Sequence, residues 1–331
     1  MNNSQYKAFV IREKKDGTFS RSIEDKNIEE LPPGEVLIQV KYAALNYKDA
    51  LSSSGHKGIT RKFPHTPGVD ACGIVVSSES SEFVKGDAVI VTSYDFGMNT
   101  SGGFQEFIRV PAKWPVKLPS KMTLEESMIL GTGGFTAALS LYKMQQNGQI
   151  PEMGPIVVTG STGGVGSMAV AILALNNYKV IAASGKKDAH DYLRELGATQ
   201  IISREETNDK SGRPLLRPKW AGAIDTVGGN TLATCIKACG RNGNIAVCGL
   251  VESPKLETTV YPFILNGVNV LGIETAETPR SIRLKIWELL ADDWKPKHLD
   301  KIKKIIALED LETHIPLMLE GKSKGRVLVK F

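Results

Sequence analysis

A short apolar run that is followed directly by a glycine cluster constrains the fold of this chain more than any other feature. Residues 156–159 are β-branched, as in a strand that is buried on both faces of a parallel sheet. Glycines at G-x-x-G-x-x-G spacing follow from Gly160 to Gly166, and residues 168–175 are mostly apolar helix formers. Strand, glycine turn and helix form a dinucleotide-binding unit, because glycine lets the backbone approach a pyrophosphate that faces the helix start. The stretch therefore predicts a nucleotide-binding fold.

The chain after this turn repeats strand and helix patterns. Asp188 is predicted to cap the first of the new helices and Gly197 to end it. With the first strand included, six strands are typical of a doubly wound parallel sheet, in which ligands bind at the carboxyl ends of the strands. The further strands are expected at 179–183, 200–203, 223–225, 244–248 and 268–273, with helices at 188–196 and 230–239.

The residues after the second strand indicate which dinucleotide binds. An NAD-specific site has an acid there for the ribose 2′-hydroxyl, whereas Ser184, Gly185 and Lys186 follow this strand. Arg204 follows the third strand, and its guanidinium group suits a phosphate. These four residues predict NADPH, held by its 2′-phosphate. The alternative, that Lys186 and Arg204 are solvated loop charges, stays open.

The segments on both sides predict a second domain that is rich in short strands. Strands are expected at 6–12 and 36–43, separated by a Pro-Pro-Gly turn, and again within 67–76, 83–91 and 102–110. Many short strands with glycine and proline turns are typical of a β-barrel. The other expected elements are a helix that Thr123 and Glu126 begin as a capping box, helices at 134–147, 280–292 and 311–320, and a closing strand at 327–330.

Composition narrows the functional classes. The chain has 331 residues, 41% of them hydrophobic and 23% charged, which predicts a two-domain globular protein. Its net charge of +5 is dispersed and the basic stretch 213–219 lacks aromatics, so no nucleic-acid binding is expected.

Neither a signal-peptide pattern nor a membrane-spanning run is seen, so we expect a cytoplasmic protein without membrane binding. The four scattered cysteines are expected to be reduced, with Cys235 and Cys239 on one helix.

Several motifs together resemble one enzyme family. They are L-N-Y-K-D-A-L (45–51), P-G-V-D-A-C-G-I-V (67–75), V-K-G-D-A-V (84–89), G-G-F-Q-E (102–106), G-T-G-G-F-T-A-A-L (131–139), T-G-S-T-G-G-V-G (159–166), W-A-G-A-I-D-T-V-G-G (220–229) and G-R-V-L-V-K (325–330). As a set they resemble the medium-chain dehydrogenase/reductase superfamily, in its zinc-free, quinone oxidoreductase-like division and its acrylyl-CoA reductase branch. The resemblance implies an α/β fold, with a Rossmann doubly wound parallel sheet (127–276) inserted in a GroES-like β-barrel catalytic domain (1–126 and 277–331).

The resemblance also implies a site without metal. In the zinc alcohol dehydrogenases of this superfamily, two cysteines and a histidine bind the catalytic metal. The matching positions hold Asn46, the Val-Asp pair at 69–70 and the Gly-Thr pair at 131–132. Amide and hydroxyl groups are poor zinc ligands and valine is none, so no metal is expected.

The activity that the resemblance implies is NADPH-dependent reduction of the carbon–carbon double bond of acrylyl-CoA, with a quinone as the alternative substrate. The cofactor supplies a hydride, and the protein needs a hydrogen-bond donor for the developing oxyanion or enolate. Asn46 and Tyr47 are the candidate catalytic residues, and Tyr47 alternatively contacts the nicotinamide. A nucleotide-binding protein without catalysis is a third hypothesis that the sequence leaves open.

The candidate cofactor-binding residues are spread over both predicted domains. The resemblance places Thr136 beside the nicotinamide carboxamide and Arg326 facing the cofactor cleft, with a back-bonded helix threonine and a surface arginine as the alternatives. The strand at 268–273 is expected at a sheet edge, where unpaired backbone groups favour a homodimer. The full set is Tyr47, Thr136, Thr162, Gly163, Gly164, Val165, Gly166, Ser184, Gly185, Lys186, Arg204, Leu250, Thr275 and Arg326.

Overall fold

The computed structural model describes residues 5–331, which form two compact units. The first unit contains the described residues up to Thr132, then Ala276–Ala291 and Leu299–Phe331. The second unit contains Gly133–Thr275 and Asp292–His298. Within 5–331, every helix is too short or too polar to cross a lipid bilayer.

Strands dominate the first unit and alternate with helices in the second. Numbered along the chain, the strands are β1 (Gln5–Glu13), β2 (Phe19–Asn27), β3 (Val36–Leu45), β4 (Asp70–Ser78), β5 (Ala88–Thr92), β6 (Phe107–Val110), β7 (Val116–Lys117), β8 (Ile156–Val158), β9 (Val180–Ala183), β10 (Gln200–Ile202), β11 (Trp220–Asp225), β12 (Cys239–Val247), β13 (Asn269–Gly272), β14 (Lys303–Ile306) and β15 (Arg326–Lys330).

The structure has helices at the predicted places and further short ones, such as the unpredicted α6. They are α1 (Tyr47–Ser53), α2 (Leu124–Gln146), α3 (Gly164–Leu175), α4 (His190–Glu195), α5 (Gly229–Lys237), α6 (Tyr261–Asn266), α7 (Arg280–Ala291), α8 (Leu299–Ile302) and α9 (Leu311–Leu319). The capping box before α2 is confirmed: the Thr123 N–H donates to Glu126 Oε2 at 2.8 Å, and the Glu126 N–H donates to Thr123 Oγ1 at 3.2 Å. Gly197 follows α4 with a φ of 103°, so glycine ends that helix as predicted.

The second unit is built on a six-stranded parallel sheet in the order β10-β9-β8-β11-β12-β13. All three residues of β8 are fully buried, since β8 lies at the centre of the sheet between β9 and β11. The chain order reverses at this point, which makes the carboxyl ends of β8 and β11 the expected ligand crevice. The predicted doubly wound sheet is confirmed.

The first unit contains a mostly antiparallel seven-stranded sheet and a separate hairpin. The sheet order is β14-β15-β3-β4-β5-β7, and β6 pairs with the free side of β3. Its core is formed by alternating apolar residues such as Val36, Ile38 and Val40, which face Val89 and Val91. The hairpin β1–β2 is antiparallel, with Phe9 opposite Ile23.

Two local predictions are wrong, and one strand is missing from the prediction. Strand β2 was not predicted because it has only two large apolar residues, Phe19 and Ile23, and therefore no clear alternation. Cys239 begins β12 instead of sharing a helix with Cys235, because α5 already ends at residue 237. Asp188 does not cap α4: it is the middle residue of a 3₁₀ turn, and Ala189 precedes the helix without a side-chain cap.

Candidate active site

Three adjacent strands bring distant parts of the chain to one end of the sheet in the first unit. β3 pairs with β15 on one side, where Leu45 lies opposite Val327, and with β4 on the other, where Ala43 lies opposite Ala71. The residue after β3 and the first residues of β15 and β4 therefore become neighbours. These residues are Asn46, Arg326 and Asp70.

Asp70 is the centre of the polar network that results. Its side chain is fully buried, and Oδ2 accepts hydrogen bonds from Asn46 Nδ2 at 2.8 Å and from the Thr132 N–H at 2.8 Å. The Thr132 hydroxyl donates to Oδ1. Arg326 Nη2 completes an ion pair with Oδ2 at 3.0 Å. A buried carboxylate is tolerated because charged and neutral donors surround it.

Arg326 is equally enclosed, with 3% of its surface exposed. Besides Asp70, it donates from Nη1 to Asn46 Oδ1 at 2.7 Å and from Nε to the Ile129 carbonyl at 3.1 Å. The surface alternative for this arginine is therefore wrong. Its guanidinium group orients neighbouring side chains of its own unit, and contact with the cofactor stays a prediction.

A break in α2 makes room for the network. Gly131 has φ 46° and ψ −153°, so the helix is interrupted one residue before Thr132. A Cβ atom at this position would overlap both Arg326 Nη2 and Asp70 Oδ2. Only glycine permits this close approach, and the break turns the Thr132 N–H and hydroxyl toward the carboxylate.

A second buried carboxylate, Asp49, fixes the backbone next to Asn46. Its Oδ2 accepts the Asn46 N–H at 2.8 Å, and its Oδ1 accepts the N–H groups of Gly68 and Val69 at 3.1 and 2.9 Å. Burial is the main cause that raises the pKa of the Asp49 carboxyl to about 7; the N–H donors, the Asn46 N–H foremost, oppose the shift, and the negative charge of Asp70 adds to it. Asp49 therefore ties α1 to the segment before β4.

The network decides which side chain can donate to a substrate. The Asn46 amide nitrogen donates to the Ala44 carbonyl at 3.1 Å and to Asp70 at 2.8 Å, so both of its hydrogens are used. In this arrangement Asn46 is held as an orienting group, and the donor role expected for it stays a prediction. Tyr47 is 38% exposed and its hydroxyl has no partner within residues 5–331. Of the two predicted catalytic residues, Tyr47 is the available donor.

The glycine turn of the second unit has the form that a pyrophosphate requires. Gly160 has a φ of 57°, and a Cβ atom on Gly166 would overlap the Gly160 carbonyl. Helix α3 begins at Gly164 after Gly163, and no side chain caps its first N–H groups. A ligand phosphate would satisfy these groups and the positive end of the helix dipole. Thr162 is buried in the same turn.

The predicted phosphate pocket lies at the carboxyl ends of β9 and β10. Ser184 Oγ accepts the Lys186 N–H at 3.1 Å, which folds the turn after β9. A Cβ atom on Gly185 would lie 3.0 Å from Arg204 Nε, so the guanidinium group passes directly over this glycine. Arg204 is exposed and forms no ion pair within the described part of the chain. The sheet therefore brings the four predicted residues to one place.

The other candidates are more scattered. Thr136 is buried in α2, and Leu250 is 60% exposed in the loop after β12. Thr275 is the last residue of the long segment of the second unit. Cofactor contact by these three residues stays a prediction.

Sequence reasoning missed the acids of the site. Asp49 and Asp70 were not candidates, and neither was Thr132, although each is part of the network. A signal was present for Asp70, because an acid within the apolar run that forms β4 needs a buried partner. In the second unit Asp225 ends the fully buried strand β11 and gives the same signal.

Comparison with known proteins identifies the relatives of this chain. Residues 32–120 match the alcohol dehydrogenase GroES-like domain, and residues 164–292 match the zinc-binding dehydrogenase family. The second description names zinc, but residues 5–331 contain no group of three or more His, Cys, Asp or Glu side chains arranged to hold a metal. The absence of metal in the protein stays a prediction.

YhfP of Bacillus subtilis, which has a provisional name as a quinone oxidoreductase, is 43% identical over 303 residues, covering 91% of this chain and 92% of YhfP. A crystal structure of YhfP with NAD bound matches with a TM-score of 0.95 at 41% identity, over 99% of both chains. The acrylyl-CoA reductase AcuI of Ruegeria pomeroyi is 38% identical over 98% of both chains.

The yhdH oxidoreductase from Salmonella enterica, crystallised in complex with NADP, has a TM-score of 0.95 at 39% identity, covering 98% of this chain and 99% of its own. These identities extend over nearly the whole chain and include both units. The chain therefore belongs to the medium-chain dehydrogenase/reductase family, in its quinone oxidoreductase-like branch, which includes the acrylyl-CoA reductases.

Proposed function

We propose that this protein is an NADPH-dependent reductase of an activated carbon–carbon double bond, with acrylyl-CoA as its substrate and propionyl-CoA as its product, and that it works without a metal. The observation that supports this proposal most is the buried network around Asp70. Residues that match the zinc-binding positions of the alcohol dehydrogenases, Asn46 and Thr132, are hydrogen-bonded here to Asp70, which follows the third matching position, Val69. Likeness to AcuI over 98% of the chain supports the substrate.

The residues of the second unit fit NADPH. The glycine turn from Gly160 to Gly166 would hold the pyrophosphate, and Ser184, Lys186 and Arg204 would surround the 2′-phosphate. When bound, NADPH supplies a hydride. A relative of this chain was crystallised with NADP and another with NAD, so the preference for NADPH rests on the two basic side chains.

The residues of the first unit supply polarisation and orientation. Reduction of the acryloyl group adds a hydride to the β-carbon and a proton to the α-carbon, and negative charge develops on the thioester oxygen. A hydrogen bond from the Tyr47 hydroxyl to this oxygen would stabilise the enolate. Asn46, whose two amide hydrogens are both used, and Arg326, which bonds Asn46 and Asp70, keep the end of β3 and the start of α1 in place.

Reduction of a quinone by NADPH is the second candidate function, favoured by the 43% identity to YhfP. A quinone oxygen would also gain negative charge and would accept the same hydrogen bond from Tyr47. The two candidates therefore share the cofactor and the donor, and they differ in the group that accepts the hydride.

The test compares kcat/KM for acrylyl-CoA, for a small quinone and for crotonyl-CoA, with NADPH oxidation followed by absorbance. We expect acrylyl-CoA to be turned over at least about tenfold more efficiently than the quinone, which corresponds to about 1.4 kcal/mol of transition-state binding. Efficient quinone reduction with background rates on acrylyl-CoA would favour the second candidate. Binding of NADPH without turnover of any substrate would indicate a nucleotide-binding protein.

A further inference from the structure

A buried acid that the proposed reaction does not use lies at the end of β11. Asp225 is fully buried, and its Oδ1 accepts the Thr159 hydroxyl at 2.7 Å while its Oδ2 accepts the Gly228 N–H at 2.8 Å. Thr159 directly follows β8 and precedes the glycine turn. The carboxylate thus joins the carboxyl ends of the two central strands, where the order of the sheet reverses.

The same carboxylate organises the turn after β11. Thr226 donates from its N–H to Thr159 Oγ1 and from its own hydroxyl to the Thr159 carbonyl, both at 3.0 Å. A Cβ atom on Gly160 would overlap Thr226 Oγ1, so this turn and the glycine turn are in direct contact. Gly228 adopts a left-handed φ of 76°, and its N–H is held by Asp225. The turn after β11 and the glycine turn of the predicted cofactor site are therefore held together by one hydrogen-bond network.

In the described part of the chain this acid has no cationic partner. Within residues 5–331 no Lys or Arg forms an ion pair with Asp225, and the ionisable groups that face it are Glu252, Cys235 and Cys248. Both thiols stay neutral near neutral pH because burial raises the pKa of each well above its usual value. A buried carboxylate without a cation is costly, so packing alone does not explain its presence.

We propose that Asp225 is a positioning residue for the cofactor, whose ionised carboxylate holds Thr226–Gly228 and the glycine turn in the arrangement that binds NADPH. The inference rests on the proposed function, since it requires that the chain binds NADPH. It extends that function because it makes the affinity for NADPH depend on pH through Asp225, which lies outside the predicted 2′-phosphate pocket.

The central variant is Asp225→Asn, which keeps the shape and removes the charge. The amide can accept only one of the two bonds, and its NH₂ group would face the hydroxyl of Thr159 or the N–H of Gly228. We expect the dissociation constant of NADPH to rise about tenfold or more at pH 8, because one bond is lost and the other loses its charge assistance. The value of kcat at saturating NADPH should change much less than the dissociation constant.

The pH dependence separates this role from a general loss of structure. Burial is the main cause that raises the pKa of Asp225 to about 6, opposed by the bond from Thr159. Below that pH the parent carboxyl is protonated and resembles the amide. The ratio of the two dissociation constants should therefore fall from about tenfold at pH 8 toward one at pH 5. The 2′-phosphate of NADPH also titrates near pH 6, but it is the same in both measurements and cancels in the ratio.

Asp209→Asn is the matched control. Asp209 lies in the same unit; its side chain pairs with Lys237 at 3.1 Å and its backbone carbonyl accepts Asn230 Nδ2, so its carboxylate is outside the network of Asp225, Thr159 and Thr226. This control should leave NADPH affinity unchanged at every pH. If Asp225→Asn does not fold, Thr159→Val tests the same network by removing the hydroxyl that bonds the carboxylate and accepts the Thr226 N–H, and a loss of NADPH affinity is again expected.

Two results would overturn the inference. Equal NADPH affinity for parent and Asp225→Asn at pH 8, or a loss that is the same at pH 5 and pH 8, would show that the carboxylate charge does not position the cofactor. Saturable NADPH binding by the parent keeps the proposed function intact in either case. Absence of NADPH binding by the parent would instead overturn the proposed function and this inference together.

Discussion

Arg326 Nη2 and Asp70 Oδ2 lie 3.0 Å apart, and the two side chains are 3% and 0% exposed. Asp70 begins β4 and Arg326 begins β15, so the ion pair joins residues that are 256 positions apart in the chain. Asn46 contacts both partners, through its nitrogen to Asp70 and its oxygen to Arg326. The orientation of the candidate site therefore depends on this pair.

Removal of one partner should be strongly destabilising. In Arg326→Gln the Asp70 carboxylate keeps its burial but loses the cation that pairs with it, which typically costs about 3–5 kcal/mol in the free energy of unfolding. Arg12→Gln is the control, because its exposed pair with Glu24 should contribute less than about 1 kcal/mol. Urea unfolding of the three proteins measures the difference. Similar losses for the two variants would show that the buried pair contributes no more than an exposed one.

Tyr47 should be important for the rate and unimportant for stability. Its hydroxyl is without a partner in the described chain, so Tyr47→Phe should leave the melting temperature unchanged. Loss of a donor to a developing oxyanion typically lowers kcat about 100-fold. Tyr261→Phe, at another exposed tyrosine in the second unit, is the control and should behave like the parent. An unchanged kcat for Tyr47→Phe would remove Tyr47 from the mechanism.

The sequence predicts the second unit better than the site in the first. Residues 156–166 specify a local strand, turn and helix. The repeated strand–helix patterns that follow can be recognised from local sequence alone, and they predict the sheet that the structure confirms. The Asp70 network could not be predicted in the same way, because it requires the ends of three strands and a break at Gly131 to meet. For the same reason, the sequence shows the amide of Asn46 but does not show that Ala44 and Asp70 accept its two hydrogens in this network.

Strand β2 shows a second limit of sequence patterns. Its pairing partner, β1, supplies the buried apolar face, so β2 itself can be largely polar and still form nine residues of strand. Its alternation is therefore weak, and only the register with β1 reveals it.

The basic residues at the ends of β9 and β10 should determine cofactor preference. Lys186→Ala and Arg204→Ala should each weaken NADPH binding about tenfold or more, since a charge-assisted contact is typically worth about 1.5–3 kcal/mol. NADH affinity should stay the same, because NADH has no phosphate at this position. Lys210→Ala, at an exposed lysine of the following loop, is the control. Equal losses for NADPH and NADH, or a parent that prefers NADH, would contradict this pocket.

We expect a homodimer formed through the second unit. Strand β13 is the edge of the six-stranded sheet, and Val270 on it is 40% exposed. Val260, Ile264 and Leu265 nearby in sequence are 63%, 69% and 54% exposed, an apolar surface that a second copy would cover. Light scattering should give twice the monomer mass, and Ile264→Asp should shift it toward the monomer. The control is Ile150→Asp, which changes an apolar residue that is 51% exposed but lies outside this surface, and this variant should stay dimeric. A monomer mass for the parent at all concentrations would contradict the expectation.

The most direct measurement for the central proposal is the amount of propionyl-CoA formed per NADPH oxidised. Mass spectrometry quantifies the propionyl-CoA, and the reaction is run with the protein before and after its treatment with a chelator. Residues 5–331 hold no cluster that could bind a metal, and the Asp70 network satisfies its own polar groups. We predict a ratio of about one propionyl-CoA per NADPH, unchanged by the chelator. NADPH oxidation without propionyl-CoA, or activity that is lost to the chelator and restored by zinc, would contradict it.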